Sequence, residues 1–296
     1  MDNTYPHPTD RRAGPPQVRG PGSDTSAVPS RRTVLDAALG GISAALTGCT
    51  RDGAGPRASG ARVRSETHSF VSRARGGTRT TWTLLRPADA PADLPVVVAL
   101  HGLGQDHRLP AAIGAADALA AAGTPFALVA PDGGRSYWHP HHGEDAGAMV
   151  TEELLPRLAD HGLRTGRTDR IGLIGWSMGG YGVLRLAGLL GPSRVAGVVA
   201  ASPALWTDDD SASRSGFDDA REYDRCSAMR DQRRLDGIAV RVDCGLSDPF
   251  ADAVRVYRAG FARPPSGGFS FGSHDRGYWR RVLPDELAFL GGTLAT

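Results

Sequence analysis

The chain contains no lysine: all 34 of its basic side chains are arginines. A phosphate-cradling G-x-x-x-x-G-K-[ST] loop is therefore absent, and the nucleotide chemistry it serves is not expected. Neither sign of charge is in large excess. The arginines interleave with 32 acids and leave a formal net charge of +2, so no basic stripe exists to hold a nucleic acid. No internal repeat appears. Cysteine is scarce, with three in 296 residues, and aromatic residues make up 6%. The remaining composition, 40% apolar and 22% charged, allows one sizeable globular core.

Proline, glycine, serine and arginine crowd the first 61 residues. Within them Ser30-Arg31-Arg32-Thr33-Val34-Leu35 fits a twin-arginine export signal, a weakly apolar run extends to Leu46, and Leu46-Thr47-Gly48-Cys49 fits a lipobox. The run is too short for a spanning helix of ~20 residues. These motifs predict a lipoprotein signal over 1–49 with lipidation at Cys49, a flexible tether over 50–61, and one globular domain over 62–296. Such a protein is exported and lipid-anchored at the outer face of the cytoplasmic membrane, or secreted. An arginine-rich disordered tail is the competing reading. With Cys49 set aside, Cys226 and Cys244 are either one disulfide or two separate buried thiols.

The most informative stretch is Gly175-Trp176-Ser177-Met178-Gly179, which follows the apolar run Arg170-Ile171-Gly172-Leu173-Ile174 and precedes a helical pattern through Leu190. A strand feeding a tight turn that feeds a helix presents the serine hydroxyl at a helix N-terminus, and only small flanking residues permit the turn. A serine hydroxyl needs a base and an orienting carboxylate. After Ser177 in the chain, Asp248 lies on the loop leaving the strand Val240–Cys244. Asp243 competes with it but sits inside that strand, where alternation aims it at a sheet face. His274 is the only histidine after Asp248. Oxyanion donors are expected from the backbone amides of Met178 and of Leu103, in the loop after the strand Pro95–Leu100; His101 is expected to support that loop.

Strand patterns at 63–74, 80–86, 96–100, 126–130, 171–174, 195–200, 238–243 and 269–271 alternate with helical ones at 109–122, 146–158, 178–190, 251–262 and 278–290. The alternation predicts an α/β fold: a mostly parallel central sheet with helices on both faces and a site at the strands' carboxyl edge. Residues 203–235 read as a small cap insertion whose Trp206 could wall a pocket. Its aspartate run lacks the spacing of a calcium loop. The loop Tyr137–Asp145 holds three histidines and two carboxylates, but it is interrupted by proline and has no metal-ligand spacing. No metal and no cofactor are expected. Trp138 and His139 are candidate substrate contacts there, and a loop ordered by burial of Trp138 is the alternative.

Seven ordered motifs, HGLGQDHR from His101, Pro131-Asp132-Gly133-Gly134, Glu153-Leu154-Leu155-Pro156, GWSMGGYGVLRLA from Gly175, Ser202-Pro203-Ala204-Leu205, CGLSDPF from Cys244 and SHDRGYW from Ser273, resemble the α/β-hydrolase superfamily. Within it the chain is similar to the esterase family that includes esterase D-like enzymes and secreted mycolyltransferases. Arg276 stands where that family often has a tryptophan. The resemblance implies a serine carboxylic-ester hydrolase acting on a small-molecule or lipid ester, through Ser177, His274, Asp248 and an acyl-enzyme. Two alternatives remain open: an acyltransferase that passes the acyl group to a sugar or lipid hydroxyl, and a catalytically idle binding lipoprotein on the same fold.

Overall fold

The computed structural model describes residues 63–209, 212 and 216–295. The expected export signal, Cys49 and the tether lie outside the described residues. Eleven strands are present among the described residues: β1 (Val63–Ser72), β2 (Thr78–Pro87), β3 (Leu94–Leu100), β4 (Ala127–Pro131), β5 (Pro140–His141), β6 (Glu144–Asp145), β7 (Leu163–Arg164), β8 (Ile171–Trp176), β9 (Val195–Ala201), β10 (Ala239–Gly245) and β11 (Phe269–Ser270). The main sheet runs β1-β2-β4-β3-β8-β9-β10-β11, and the short β7 pairs with the start of β3. β1 and β2 form an antiparallel pair, β2 meets β4 antiparallel, and the pairings from β4 through β11 are parallel. β5 and β6 form a separate two-stranded ribbon.

β3, β8 and β9 are buried along their whole length, as expected of parallel strands covered on both faces. Alternation then sorts their side chains into two layers. Val96, Val98 and Leu100 of β3 join Leu173, Val198 and residues of the helix Met178–Leu190 on one face. Val97 and Ala99 join Ile174, Trp176, Val199 and the helix Arg276–Leu294 on the other. The expected helix 109–122 is two helices, Leu109–Ala112 and Ala115–Ala121, because Gly114 takes a left-handed φ of 89° between them. The stretch 146–158 is also segmented: a π-helical turn, Met149–Leu154, sits between short α-helical pieces, next to Pro156, which has no N–H to give. In the insertion, Asp219 caps the helix Ala220–Cys226 through a 2.8 Å bond from the Glu222 amide. Among the described residues no helix is long and apolar enough to cross a membrane.

Candidate active site

β8 ends at Trp176, and the helix Met178–Leu190 starts one residue later. Ser177 between them has φ 57° and ψ −118°, a conformation that costs about 1–3 kcal/mol and persists only where the surroundings enforce it. They do so here. The Ser177 amide donates to the Ala201 carbonyl at 3.0 Å, and its own carbonyl accepts from the Tyr181 and Ala204 amides, each at 3.0 Å. A Cβ on Gly179 would overlap the Leu100 carbonyl, so this position admits no side chain.

Asp248 leaves β10 on the loop that leads to the helix Ala251–Ala259, and His274 lies just before Arg276–Leu294. These distant segments meet at Ser177. His274 Nε2 is 2.8 Å from Ser177 Oγ, and His274 Nδ1 is 2.9 Å from Asp248 Oδ2. An ionised carboxylate can only accept, so Nδ1 carries the proton and Nε2 turns a lone pair to the serine hydroxyl. The Asp248 side chain is wholly buried. Burial pushes its carboxyl upward, but the His274 bond and the Phe250 amide, which donates to Oδ1 at 2.9 Å, hold it below the usual carboxylate range. Asp243 is placed otherwise: its carboxylate pairs with Arg241 Nε at 2.6 Å and accepts from the Gly268 amide. Asp275, next to the imidazole in sequence, caps the following helix by accepting from the Tyr278 amide at 2.9 Å.

The turn Gly102-Leu103-Gly104-Gln105 is closed by a 3.1 Å bond from the Gln105 amide to the Gly102 carbonyl, with Gly104 at φ 73°. It lies against the serine, since a Cβ on Gly102 would come within 3.2 Å of Ser177 Cβ. Neither the Leu103 nor the Met178 amide donates a backbone hydrogen bond among the described residues. His101 is buried and braces the turn: its Nδ1 bonds the Gly102 carbonyl at 2.8 Å and its Nε2 accepts from the Gly133 amide at 2.9 Å. This is the supporting role expected of it.

Trp138 and His139 do not line the site. Both are 0% exposed. The Trp138 indole fills the space left by Gly133 and Gly182, where any Cβ would strike the ring, and its Nε1 donates to the His101 carbonyl at 3.2 Å. His139 bonds the Gly216 carbonyl at 2.8 Å. The loop is ordered by buried Trp138, and the expected substrate contacts are corrected to core residues. Trp206 is half-buried and stacks edge-on against Phe250 at 5.5 Å, and Phe250 lies 5.3 Å from the His274 ring. Trp279 packs edge-on against His274 at 5.5 Å, so an indole reaches the imidazole from one helical turn beyond Arg276. Phe250 and Trp279 were missed in sequence because nothing local marks which aromatic side chains face the imidazole. Cys226 and Cys244 are both buried and free, so the pair is not a disulfide. Burial pushes the Cys244 thiol up to about 12, helped by the neighbouring Asp248 charge.

A hollow of about 250 Å³ borders the turn at Gly104, Gln105, Arg108 and Arg276. A larger cavity of about 420 Å³, between Gly237–Val240 and Phe261–Ser266, lies at the opposite end of β10 from Asp248.

Residues 74–290 match the model of the Putative esterase family. The chain belongs to that family. It is a serine hydrolase of the esterase kind. No curated protein sequence matches it. Its fold is similar to a ferulic acid esterase, with 20% identity and a TM-score of 0.66 over 78% of this chain and 99% of the other. It is also similar to an S-formylglutathione hydrolase from Agrobacterium tumefaciens, with 19% identity and a TM-score of 0.63 over 79% and 96%. Mycobacterium tuberculosis MPT51 matches at 17% identity and a TM-score of 0.62 over 78% and 99%.

Proposed function

We propose that this esterase-family protein hydrolyses carboxylic esters through a covalent acyl-enzyme on Ser177. The observation that carries the reading is the unbroken hydrogen-bonded chain from Ser177 Oγ through His274 to Asp248. His274 Nε2 takes the hydroxyl proton as Ser177 Oγ attacks the ester carbonyl, and the imidazolium so formed sits against the buried Asp248 carboxylate. The Leu103 and Met178 amides hold the developing oxyanion, each such donor contributing about 2.7–4 kcal/mol to the transition state. Collapse of the tetrahedral intermediate breaks the C–O bond to the alcohol, which leaves with the proton from His274. Water, deprotonated by the same nitrogen, then releases the acid and regenerates the serine. Trp206 and Phe250 supply an apolar wall beside the base, suited to the acyl or alcohol part of a small-molecule ester.

The test is an ester panel of varied acyl length that includes a feruloyl ester and an S-formyl thioester, run beside fluorophosphonate labelling on the parent and on Ser177→Ala. The parent should label and turn over, and the variant should do neither. Equal rates in both would remove the assigned nucleophile. Adding alcohol acceptors separates hydrolysis from acyl transfer by the product formed. From the twin-arginine and lipobox motifs alone, we also propose that the chain is exported and anchored through a lipid on Cys49.

A further inference from the structure

Three side chains outside the serine site come together where no short-range pattern placed them. His139 and His141 lie on the loop Tyr137–Asp145, and Glu222 lies on the helix Ala220–Cys226, 81 residues beyond His141. All three are buried, and one ligand atom from each lies within 4.8 Å of the others. The two rings stack nearly parallel, 12° apart, with centroids at 5.5 Å. His139 Nε2 donates to the Gly216 carbonyl at 2.8 Å, which leaves Nδ1 unprotonated, and Nδ1 has no partner. His141 Nδ1 lies 2.9 Å from Glu222 Oε1, and its buried Nε2 has no partner. The other Glu222 oxygen accepts from the Asp218 amide at 2.6 Å. Buried polar atoms are ordinarily paired, so two buried ring nitrogens without a partner point to an occupant.

We propose that His139, His141 and Glu222 bind one divalent transition-metal ion, with zinc the chemistry they fit best. Two imidazole nitrogens and a carboxylate suit zinc and its neighbours, and nitrogen donors disfavour calcium and magnesium. A second ring nitrogen donating to a carbonyl is the usual support for a metal-binding histidine, and His139 has one in the Gly216 carbonyl. Metal bonds of about 2.0–2.2 Å set ligand atoms roughly 3.3 Å apart, a spacing within reach of a trio whose ligand atoms lie within 4.8 Å of one another. His142 and Asp218, exposed and 3.8 Å apart, stand at the rim and give the ion a way in. The ion would tie the loop to the cap, whose Tyr223 hydroxyl donates to the Trp206 carbonyl at 2.6 Å and whose Phe217 packs edge-on against Trp206. Its role is to hold that wall, and no step of ester hydrolysis passes through it.

Tag-free full-length protein, stripped with chelator, is titrated with zinc chloride by calorimetry and with cobalt chloride by visible absorbance, with magnesium chloride as control. One saturable site per chain, a cobalt d–d band and a higher Tm with zinc are expected. His139→Gln and His141→Asn each replace a donated hydrogen bond while deleting the ring. Both should weaken zinc binding at least about 10–100-fold while keeping the parent's circular dichroism. His142→Asn should bind as the parent does. Folded parent that binds neither zinc nor cobalt overturns the proposal. So does binding that survives both ring deletions, or that depends on His142 instead. Each readout is independent of ester turnover, so failure here leaves the serine-site reading standing.

Discussion

The Asp248→Asn enzyme is expected to fold like its parent and to lose about 10⁴-fold in kcat. Asp248 Oδ1 accepts the Phe250 amide and Oδ2 accepts His274 Nδ1–H, each at 2.9 Å. Asparagine has the same shape but only one oxygen. If that oxygen keeps the Phe250 amide, the NH₂ group faces Nδ1, which must then turn a lone pair to it. The proton moves to Nε2, and the ring can no longer take one from Ser177. The charge is lost as well. A carboxylate and an imidazolium with centres about 4 Å apart attract by about 4 kcal/mol at an effective dielectric near 20, and at 1.36 kcal/mol per factor of ten that is roughly 10³ in rate. The wrong tautomer supplies the remaining factor of about ten. The assay is steady-state hydrolysis of p-nitrophenyl acetate together with the second-order rate of fluorophosphonate labelling, with circular dichroism to check the fold. A folded variant that keeps more than a tenth of the parent kcat would refute the assignment of Asp248. Asp243→Asn is the companion: its carboxylate is paired to Arg241, so kcat should stay near the parent value.

Glu286 gives a pH test. It is fully buried, and burial together with the nearby Asp243 charge raises its carboxyl well above the usual range. The folded state therefore keeps this proton above pH ~4.3, where the unfolded chain releases it. Stability from the group is full below that pH and falls as pH rises, by up to about 1.36 kcal/mol per unit until the raised folded value is passed. Glu286→Gln should gain stability relative to the parent between pH 5 and pH 8 in urea titrations, and an unchanged difference across that interval would count against a buried neutral carboxyl. For the proposed anchor, Cys49→Ala should move the protein from the membrane to the soluble fraction, and unaltered partitioning would dismiss the lipid.

Much of the architecture was legible because it rests on short-range sterics. A serine with glycine two residues to either side, after an apolar run and before a helical pattern, can adopt the strained turn only in a strand-to-helix bend. Strands buried on both faces read as continuous Val, Ala, Ile and Leu. The mostly parallel run from β4 onward and the helix Met178–Leu190 followed from those patterns, and the helix expected at 251–262 is Ala251–Ala259. Helix interruptions were harder to see. Gly114 breaks one helix by its left-handed φ, and the π-helical turn beside Pro156 is a choice that periodicity does not register.

By itself the sequence determined the elbow at Ser177, the chain order serine, aspartate, histidine, and the alternation that builds the sheet, because each depends on a residue and its immediate neighbours. Only the tertiary structure decided that Asp248 and not Asp243 meets His274, since Asp248 lies on the loop beyond β10 while Asp243 lies inside the strand and is paired with Arg241. Only it showed Trp138 buried against Gly133 and Gly182, kept Cys226 and Cys244 apart, and brought Glu222 to His141 across 81 residues. Those outcomes depend on which surfaces pack together, and side-chain type at a given position carries no record of its distant neighbours.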